Sequence, residues 1–293
     1  MKVSVVVPTC RRETELMNAL SSIAGQTYQD LEIILVDDNG CAEWNEKVSQ
    51  VVDRFRNVHT GIKITLIVNP ENIGSARSRN MGVMAAQGEY ITFLDDDDLY
   101  LPEKVQNQLR FMEEGSYDYS ITDLELFNKD GKLIDRRVRS YIREDTQDAL
   151  QRYHFMYHLT GTDTLMFRAD YIRQIEGFAP IDVGDEFYLM QRAIDGAGKF
   201  GYLPGCDVKA YVHTGKGGLS SGDGKIQGEN ALYEFKKSHF SRIDPKTRRF
   251  ITMRHYAVLA YAELRRKNYW EFIRNATRAF FASPLDFISI IKQ

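Results

Sequence analysis

An α/β fold is predicted, with a mostly parallel central sheet flanked by helices and an α-helical region at the C-terminal end. Three observations predict it. Over the first hundred residues, short apolar runs alternate with amphipathic polar stretches, the pattern of βαβ units. The first of these runs, Val3-Ser-Val-Val-Val7, reads as a buried strand. Beyond residue 224 the periodicity is helical only. In order, strands are expected at Val3 to Val7, Glu32 to Val36, Ile64 to Val68 and Tyr90 to Leu94, with helices at Arg12 to Gln26, Asn45 to Phe55 and Gly74 to Gln87 between them. Leu99 to Lys104 reads as the start of a further helix, with Pro102 in its first turn. Tyr117 to Leu126 and Thr162 to Phe167 read as strands, and Asp185 to Ala197 as a helix. Gly215 to Gly224, the sharpest compositional break, reads as a flexible loop. Helices are expected after it at Gln227 to His239, Lys246 to Lys267 and Tyr269 to Ala282.

Composition narrows the function. With 43% hydrophobic and 12% aromatic residues and a net charge of −3 over 293 residues, the chain has an ordinary globular balance and neither the signature of disorder nor the basic excess of a nucleic-acid binder. The charge is unevenly placed: residues 1–215 carry 23 Lys and Arg against 34 Asp and Glu, and residues 216–293 carry 15 against 7. Cys10, Cys41 and Cys206 have neither disulfide-framework nor zinc spacing, which points to a reducing compartment. The first apolar run is too short for a signal peptide, and no stretch approaches the roughly 20 apolar residues that cross a bilayer. A cytoplasmic protein is expected, one able to touch the inner face of a membrane.

The polar chemistry gathers where strands end. Pro8-Thr9-Cys10-Arg11 follows the first strand, Asp37-Asp38-Asn39-Gly40 the second, and Asp95 to Asp98 the fourth. In open α/β sheets ligands bind beyond the carboxyl ends of the strands. One aspartate would cap the following helix, but four adjacent carboxylates repel one another and call for a divalent cation. Asp38 is either a turn cap or an acceptor for a base or ribose hydroxyl. Arg77 and Arg79 stand near the start of a helix, where the dipole disfavours cations; they fit a phosphate partner or a solvated face. Asp185-Glu186 is either a pair of helix N-terminal acids or a general base. His213 is either structural or completes a metal or pyrophosphate site.

These segments, in this order, resemble the family 2 glycosyltransferases, nucleotide-sugar-dependent enzymes of the GT-A fold. The likeness runs through Val3-Ser-Val-Val-Val-Pro-Thr9, Ser21-Ser-Ile-Ala-Gly-Gln-Thr27, Ile33-Ile-Leu-Val-Asp-Asp-Asn39, Asn72-Ile-Gly-Ser-Ala-Arg-Ser-Arg-Asn80 and Gly88-Glu-Tyr-Ile-Thr-Phe-Leu-Asp-Asp-Asp-Asp98, then more weakly to Gly177-Phe178, Asp185-Glu186 and His213. The resemblance implies a GT-A catalytic domain over residues 1–215, with nucleotide-sugar binding at about 1–110 and the acceptor side at 111–215. Residues 216–293 would then be a loop and a helical region. It implies donor contacts from Pro8, Thr9, Arg11, Asp38, Asn72, Arg77, Asp95 and Asp96, and Mn²⁺ or Mg²⁺ held by Asp97 and Asp95 with His213. The base falls on the Asp185-Glu186 pair; the family order is Glu-Asp, and alignment through Leu189 and Arg192 favours Glu186. The implied reaction is inverting transfer from a nucleotide sugar, a UDP-sugar first, to a hydroxyl of a carbohydrate, glycolipid or glycoprotein in polysaccharide or glycoconjugate synthesis.

Two other functions compete. A sugar-phosphate nucleotidyltransferase resembles a chain with a glycine-rich basic loop after the first strand, where this one reads Pro8-Thr-Cys-Arg-Arg12. A non-catalytic nucleotide-sugar or metal-binding module would not need the Asp185-Glu186 pair. The C-terminal helices either pack as a hairpin or, being basic and aromatic, make a peripheral membrane contact.

Overall fold

The computed structural model describes residues 2–181, 184–212 and 223–291. The chain divides into two compact units: residues 1–147 with 159–213, and residues 148–158 with 214–293.

The first unit is built on a seven-stranded sheet. Strands β1 (Val3–Thr9), β2 (Leu31–Asp37), β3 (Lys63–Val68) and β4 (Tyr90–Phe93) alternate with helices α1 (Thr14–Ala24), α2 (Ala42–Val58) and α3 (Ser75–Ala85). Two-residue β5 (Leu99–Tyr100) and helix α4 (Lys104–Glu114) lead to β6 (Tyr119–Thr122), β7 (Leu124–Phe127) and β8 (Leu133–Arg137). After the excursion of residues 148–158 come a 3₁₀ turn (Thr162–Thr164), β9 (Leu165–Arg168), helix α6 (Ala169–Gln174), helix α7 (Asp185–Asp195), β10 (Phe200–Leu203) and β11 (Val208–Tyr211); α5 (Gln147–Tyr157) forms that excursion. The large sheet runs β10-β6-β9-β4-β1-β2-β3, and a smaller one β5-β11-β7-β8. In the large sheet β9 alone is antiparallel to its neighbours β4 and β6.

Burial explains the central strands. Every residue of β1 and β2 is buried, as helices on both faces of a parallel sheet require. On one face Leu16 and Leu20 of α1 and Val48, Val52 and Phe55 of α2 close over Val5 and Ile33. On the other, α3 lies against β1 at Gly82, where any Cβ would collide with the Val6 side chain. The strand expected over Tyr117 to Leu126 is two strands, one in each sheet. The chain changes sheets at Asp123, whose buried carboxylate accepts hydrogen bonds from the Arg139 amide (2.9 Å), the Tyr202 hydroxyl (2.7 Å) and the Gly205 amide (3.0 Å). The expected helix start at Leu99 is also corrected: Leu99–Tyr100 pairs with β11, and α4 begins at Lys104. Thr162 to Thr164, expected as strand, is a 3₁₀ turn, and β9 follows it.

The second unit is helical: α5 with α8 (Asp223–Ser238), α9 (Pro245–Arg265), α10 (Tyr269–Ala282) and α11 (Pro284–Ile291). Helix α9 opens with Pro245 at its first position and the Asp244 carboxylate accepting from the amides of Lys246 and Thr247, each 3.0 Å. Inside the unit Glu229 meets His255 at 3.3 Å, and Tyr233 stacks on that imidazole at 4.0 Å between centroids. Of the expected loop Gly215 to Gly224, residues 223 and 224 open α8 and the rest lie outside the described residues. Among the described residues, no helix is long and apolar enough to cross a membrane.

Candidate active site

The strand order reverses between β1 and β4: β2 and β3 lie on one side of β1 and β4 on the other. The carboxyl ends of these two strands are therefore neighbours, and a crevice opens beyond them. The Thr9 hydroxyl at the end of β1 donates to Asp96 Oδ2 (2.7 Å), and the Cys10 amide donates to the same oxygen (3.1 Å). Burial, with the adjacent charge of Asp97, pushes the Asp96 carboxyl up to about 7 despite the Thr9 hydrogen bond. Asp97 turns the other way, and its Oδ2 accepts from Arg12 Nη2 at 2.7 Å. Arg12, Asp97, Lys129 and Tyr211 line a recess of about 350 Å³ there.

Behind the run, Asp95, Asp98 and Asp163 each bring one carboxylate oxygen within 4.8 Å of the others. Asp163 belongs to the 3₁₀ turn before β9, and its Oδ1 accepts the Asp95 amide at 2.8 Å. Asp98 Oδ1 accepts the Tyr211 amide at 2.7 Å, tying the run to the small sheet. Burial pushes both the Asp98 and Asp163 carboxyls up, helped by the charge of Asp163 for the first and of Asp95 for the second, and the two are hydrogen-bonded to each other.

Arg79 joins this run to the second acidic pair. It sits in the second turn of α3, 6% exposed, with Nη2 on Asp95 Oδ1 (2.6 Å) and Nη1 on Asp185 Oδ2 (2.8 Å). Burial works against its charge, but Asp95 and Asp185 outweigh that and hold it protonated. Its guanidinium lies over the Phe178 ring, 5.4 Å from the centroid. Asn80, the next residue of α3, fixes Phe178 by receiving its amide and donating to its carbonyl, both at 2.8 Å.

Asp185 and Glu186 form the first turn of α7, after Gly184 in a left-handed conformation (φ 85°). The helix buries Phe187, Leu189, Met190, Ala193 and Ile194, which fixes how its first turn faces the sheet. Glu186 Oε2 accepts the Gly161 amide at 2.7 Å. One short segment, Gly161 to Thr164, thus supports both Glu186 and Asp95. Burial raises the pKa of Asp185, with Arg79 pulling it down; burial and then the charge of Asp185 raise that of Glu186.

Asp95, Asp96, Thr9, Asp185 and Glu186 are brought together. Asp38 is buried and spends both oxygens on the protein, accepting from Asn69 Nδ2 (2.8 Å) and the amides of Ile73 and Gly74 (2.9 Å each). Asn72 Nδ2 donates to the Asp38 carbonyl (2.7 Å), and the Arg11 amide donates to Asn39 Oδ1 (2.7 Å). Pro8 is buried in β1, opposite Val36. Arg77 is exposed, folds back toward the Ile73 carbonyl and lines a groove beside Ile67 and Met84. His213 lies outside the described residues. Arg12, Asp163 and Gly161 enter the site with no sequence signal of their own, whereas Asp98 was legible as a member of the aspartate run and Arg79 as a cation near a helix start.

Comparison with known proteins finds glycosyltransferases. An uncharacterized glycosyltransferase of Rickettsia felis is 35% identical over 46% of the chain, and the amylovoran biosynthesis glycosyltransferase AmsB of Erwinia amylovora is 32% identical over 38% of it. The chain spans about a fifth of the length of the first and about a third of the second. Among solved structures, S. aureus TarS 1–349 in complex with UDP-GlcNAc superposes with a TM-score of 0.63 at 18% identity, over 96% of this chain and 91% of that one. Mannosyltransferase PcManGT of Pyrobaculum calidifontis, in complex with GDP-Man and Mn²⁺, gives 0.59 at 19% identity, over 99% and 78%. These likenesses show the mixed α/β GT-A fold. The model of Glycosyl transferase family 2 matches residues 4–174, more than half of the sequence, and the chain belongs to that family.

Proposed function

We propose that the chain transfers a sugar from a nucleotide-sugar donor to an acceptor hydroxyl, with inversion, and that Glu186 is the base. The observation that carries this reading is the Arg79 bridge, which holds a carboxylate of the aspartate run and a carboxylate of the α7 pair on one guanidinium. That contact supports reading the two acidic segments as parts of one site.

The two members of the pair differ as bases. Asp185 is spent on a charged hydrogen bond to Arg79, which lowers its proton affinity. Glu186 accepts a neutral backbone donor, and burial next to Asp185 raises its pKa toward the range in which a general base works best. Glu186 would take the acceptor hydroxyl proton as the oxygen attacks the anomeric carbon and the nucleoside diphosphate departs. The leaving group needs charge compensation. The run supplies hard oxygen donors, the kind that Mg²⁺ and Mn²⁺ prefer, and a cation bound there neutralises the departing diphosphate. Asp97 and Asp95 would hold it, because Asp97 borders the open recess and its partner Arg12 is a partly exposed, exchangeable side chain. Asp98 and Asp163 brace the run from behind. The Mn²⁺ in the PcManGT structure supports this cofactor class.

The donor side would be residues 1–110, with Thr9 and Asp96 near the ribose and Pro8, Arg11, Asp38 and Asn72 shaping the base pocket. Residues 111–215 would form the acceptor side. A UDP-sugar donor is supported by the UDP-GlcNAc complex of TarS, and a carbohydrate, glycolipid or glycoprotein acceptor by AmsB, named for amylovoran biosynthesis. The test is sugar transfer, with Mn²⁺, by three variants. Asp97→Ala should abolish metal-dependent turnover. Glu186→Gln should lose transfer by about 10²–10⁴-fold, the usual worth of a general base, while keeping donor binding. Asp185→Asn should lose less, with its acid limb moved to lower pH, since the neighbouring charge that raises Glu186 is gone. Full activity in Glu186→Gln would end the assignment.

A further inference from the structure

The outer face of α10 and α11 is apolar where a solvated helix is ordinarily polar. Ten of the eighteen exposed large apolar side chains among the described residues fall between 261 and 290. Along α10, Trp270 (74% exposed), Ile273 (55%) and Phe281 (76%) fall at spacings of three and eleven residues, on one stripe. Leu285 (84%) carries bulk exposure on into α11. The opposite face of α10 is buried through Asn275 and Ala279, so this helix already has its inner partner and still shows a second apolar face. Single exposed apolar residues are unremarkable, but a row of this kind marks a surface that meets something.

Charge and residue type say what. Arg265, Arg266 and Lys267 make up the turn just before Tyr269 and Trp270, and all are exposed. Arg274 and Arg278 flank the apolar stripe one helical step to its side. The stretch 216–293 carries 15 basic against 7 acidic residues. Exposed Trp and Tyr beside a basic rim, on an apolar helix face, is the composition of a helix lying in a membrane interface.

We propose that the α10–α11 face docks on an anionic lipid surface, with Trp270, Ile273, Phe281 and Leu285 as anchors and the basic turn 265–267 against the headgroups. The face belongs to the second unit, and vesicle binding needs no turnover, so the proposal stands or falls apart from the catalytic reading.

The experiment is flotation of the full chain with vesicles of phosphatidylcholine alone and of phosphatidylcholine with phosphatidylglycerol, at low and high salt. The wild type should float with the anionic vesicles and less so in high salt. The triple variant Trp270→Ser, Phe281→Ser, Leu285→Ser should lose roughly a hundredfold in partitioning, as expected for three anchors removed from an interface. Its circular dichroism and melting temperature should stay close to the wild type, because all three side chains are about three-quarters or more exposed. Arg265→Gln with Lys267→Gln should remove the preference for anionic vesicles. Wild-type protein that stays unbound, or a triple variant that floats equally well, overturns the proposal. So does lipid-independent self-association of the wild type that the triple variant lacks, which would assign the face to a second copy of the chain.

Discussion

Arg79 shows how much one side chain decides. Its guanidinium is planar and bidentate, and it spends its two terminal nitrogens on carboxylates that stand 90 residues apart in sequence, Asp95 and Asp185. Among the described residues its buried Nε has no hydrogen-bond partner, so the two terminal nitrogens carry the bridge to the acids. Arg79→Met should leave Asp185 in a buried position facing Asp95 with no counter-charge, and urea unfolding should show a loss of about 3–5 kcal/mol, the cost of breaking a buried pair by removing one member. Arg79→Lys should restore little, since one ammonium cannot span both acids. A variant as stable as the wild type would remove the bridge from the argument. In the sequence, Arg77 and Arg79 look alike, two cations near a helix start. They lie about 200° apart around α3, and only the side on which α3 meets β1 separates them. Ala76, Arg79 and Val83 share the buried side, and Arg77 faces out. Spacing from the apolar residues of the helix would have found this; charge could not.

At the scale of elements, the strands and helices that could be read were those whose pattern is their environment. β1 and β2, continuous apolar runs, are buried throughout, and α1 to α3 fall where the amphipathic stretches lie. What was illegible depends on contacts distant in sequence: the break at Asp123, made by Arg139, Tyr202 and Gly205, and the two residues of β5, which exist only because β11 pairs with them. Helix α4 holds another case. Lys104, in its first turn, is 1% exposed, with Nζ on the hydroxyls of Thr92 and Tyr100 and 4.2 Å from the centre of the Tyr100 ring. Among the described residues no carboxylate pairs with it directly. Burial pushes its pKa down to about 7, with Asp163 and Asp207 resisting from a distance. The folded state therefore binds fewer protons here than the unfolded chain between about pH 7 and the ordinary lysine value near 10.4, and stability should rise with pH across that window, by up to about 1.4 kcal/mol per unit. Lys104→Met should flatten this slope without loss of stability at pH 7, because Thr92 and Tyr100 keep the carbonyls of Leu165 and Phe93 as acceptors. Equal slopes in the two proteins would show that Lys104 is charged in the fold.

For the whole molecule, the acidic portion that carries the crevice and the basic helical portion could be told apart from charge alone, 23 against 34 and 15 against 7. The run Asp95 to Asp98 marked this strand end in the sequence, but four identical residues in a row could not say which of them faces outward. The structure separates them: Asp96 on Thr9, Asp97 on Arg12, Asp95 on Arg79, and Asp98 inward on the Tyr211 amide. That division predicts how the protein should answer to ligand. A nucleoside diphosphate bound at the crevice stabilises the folded state by mass action, about 2.7 kcal/mol at a hundred times its dissociation constant. For a chain of this size that is a rise of roughly 5 °C in melting temperature. UDP with Mn²⁺ should give such a rise and UDP with EDTA much less. Asp97→Ala should abolish the metal-dependent part while melting, without ligand, near the wild type, because Asp97 is set at an open recess. Asp98→Ala should instead melt early without any ligand, since it removes the acceptor of the Tyr211 amide and the partner of Asp163. If GDP rather than UDP gave the rise, the donor class would change and the crevice would stand. If no nucleoside diphosphate gave one, with or without metal, the donor site would be lost from the reading and the fold would remain.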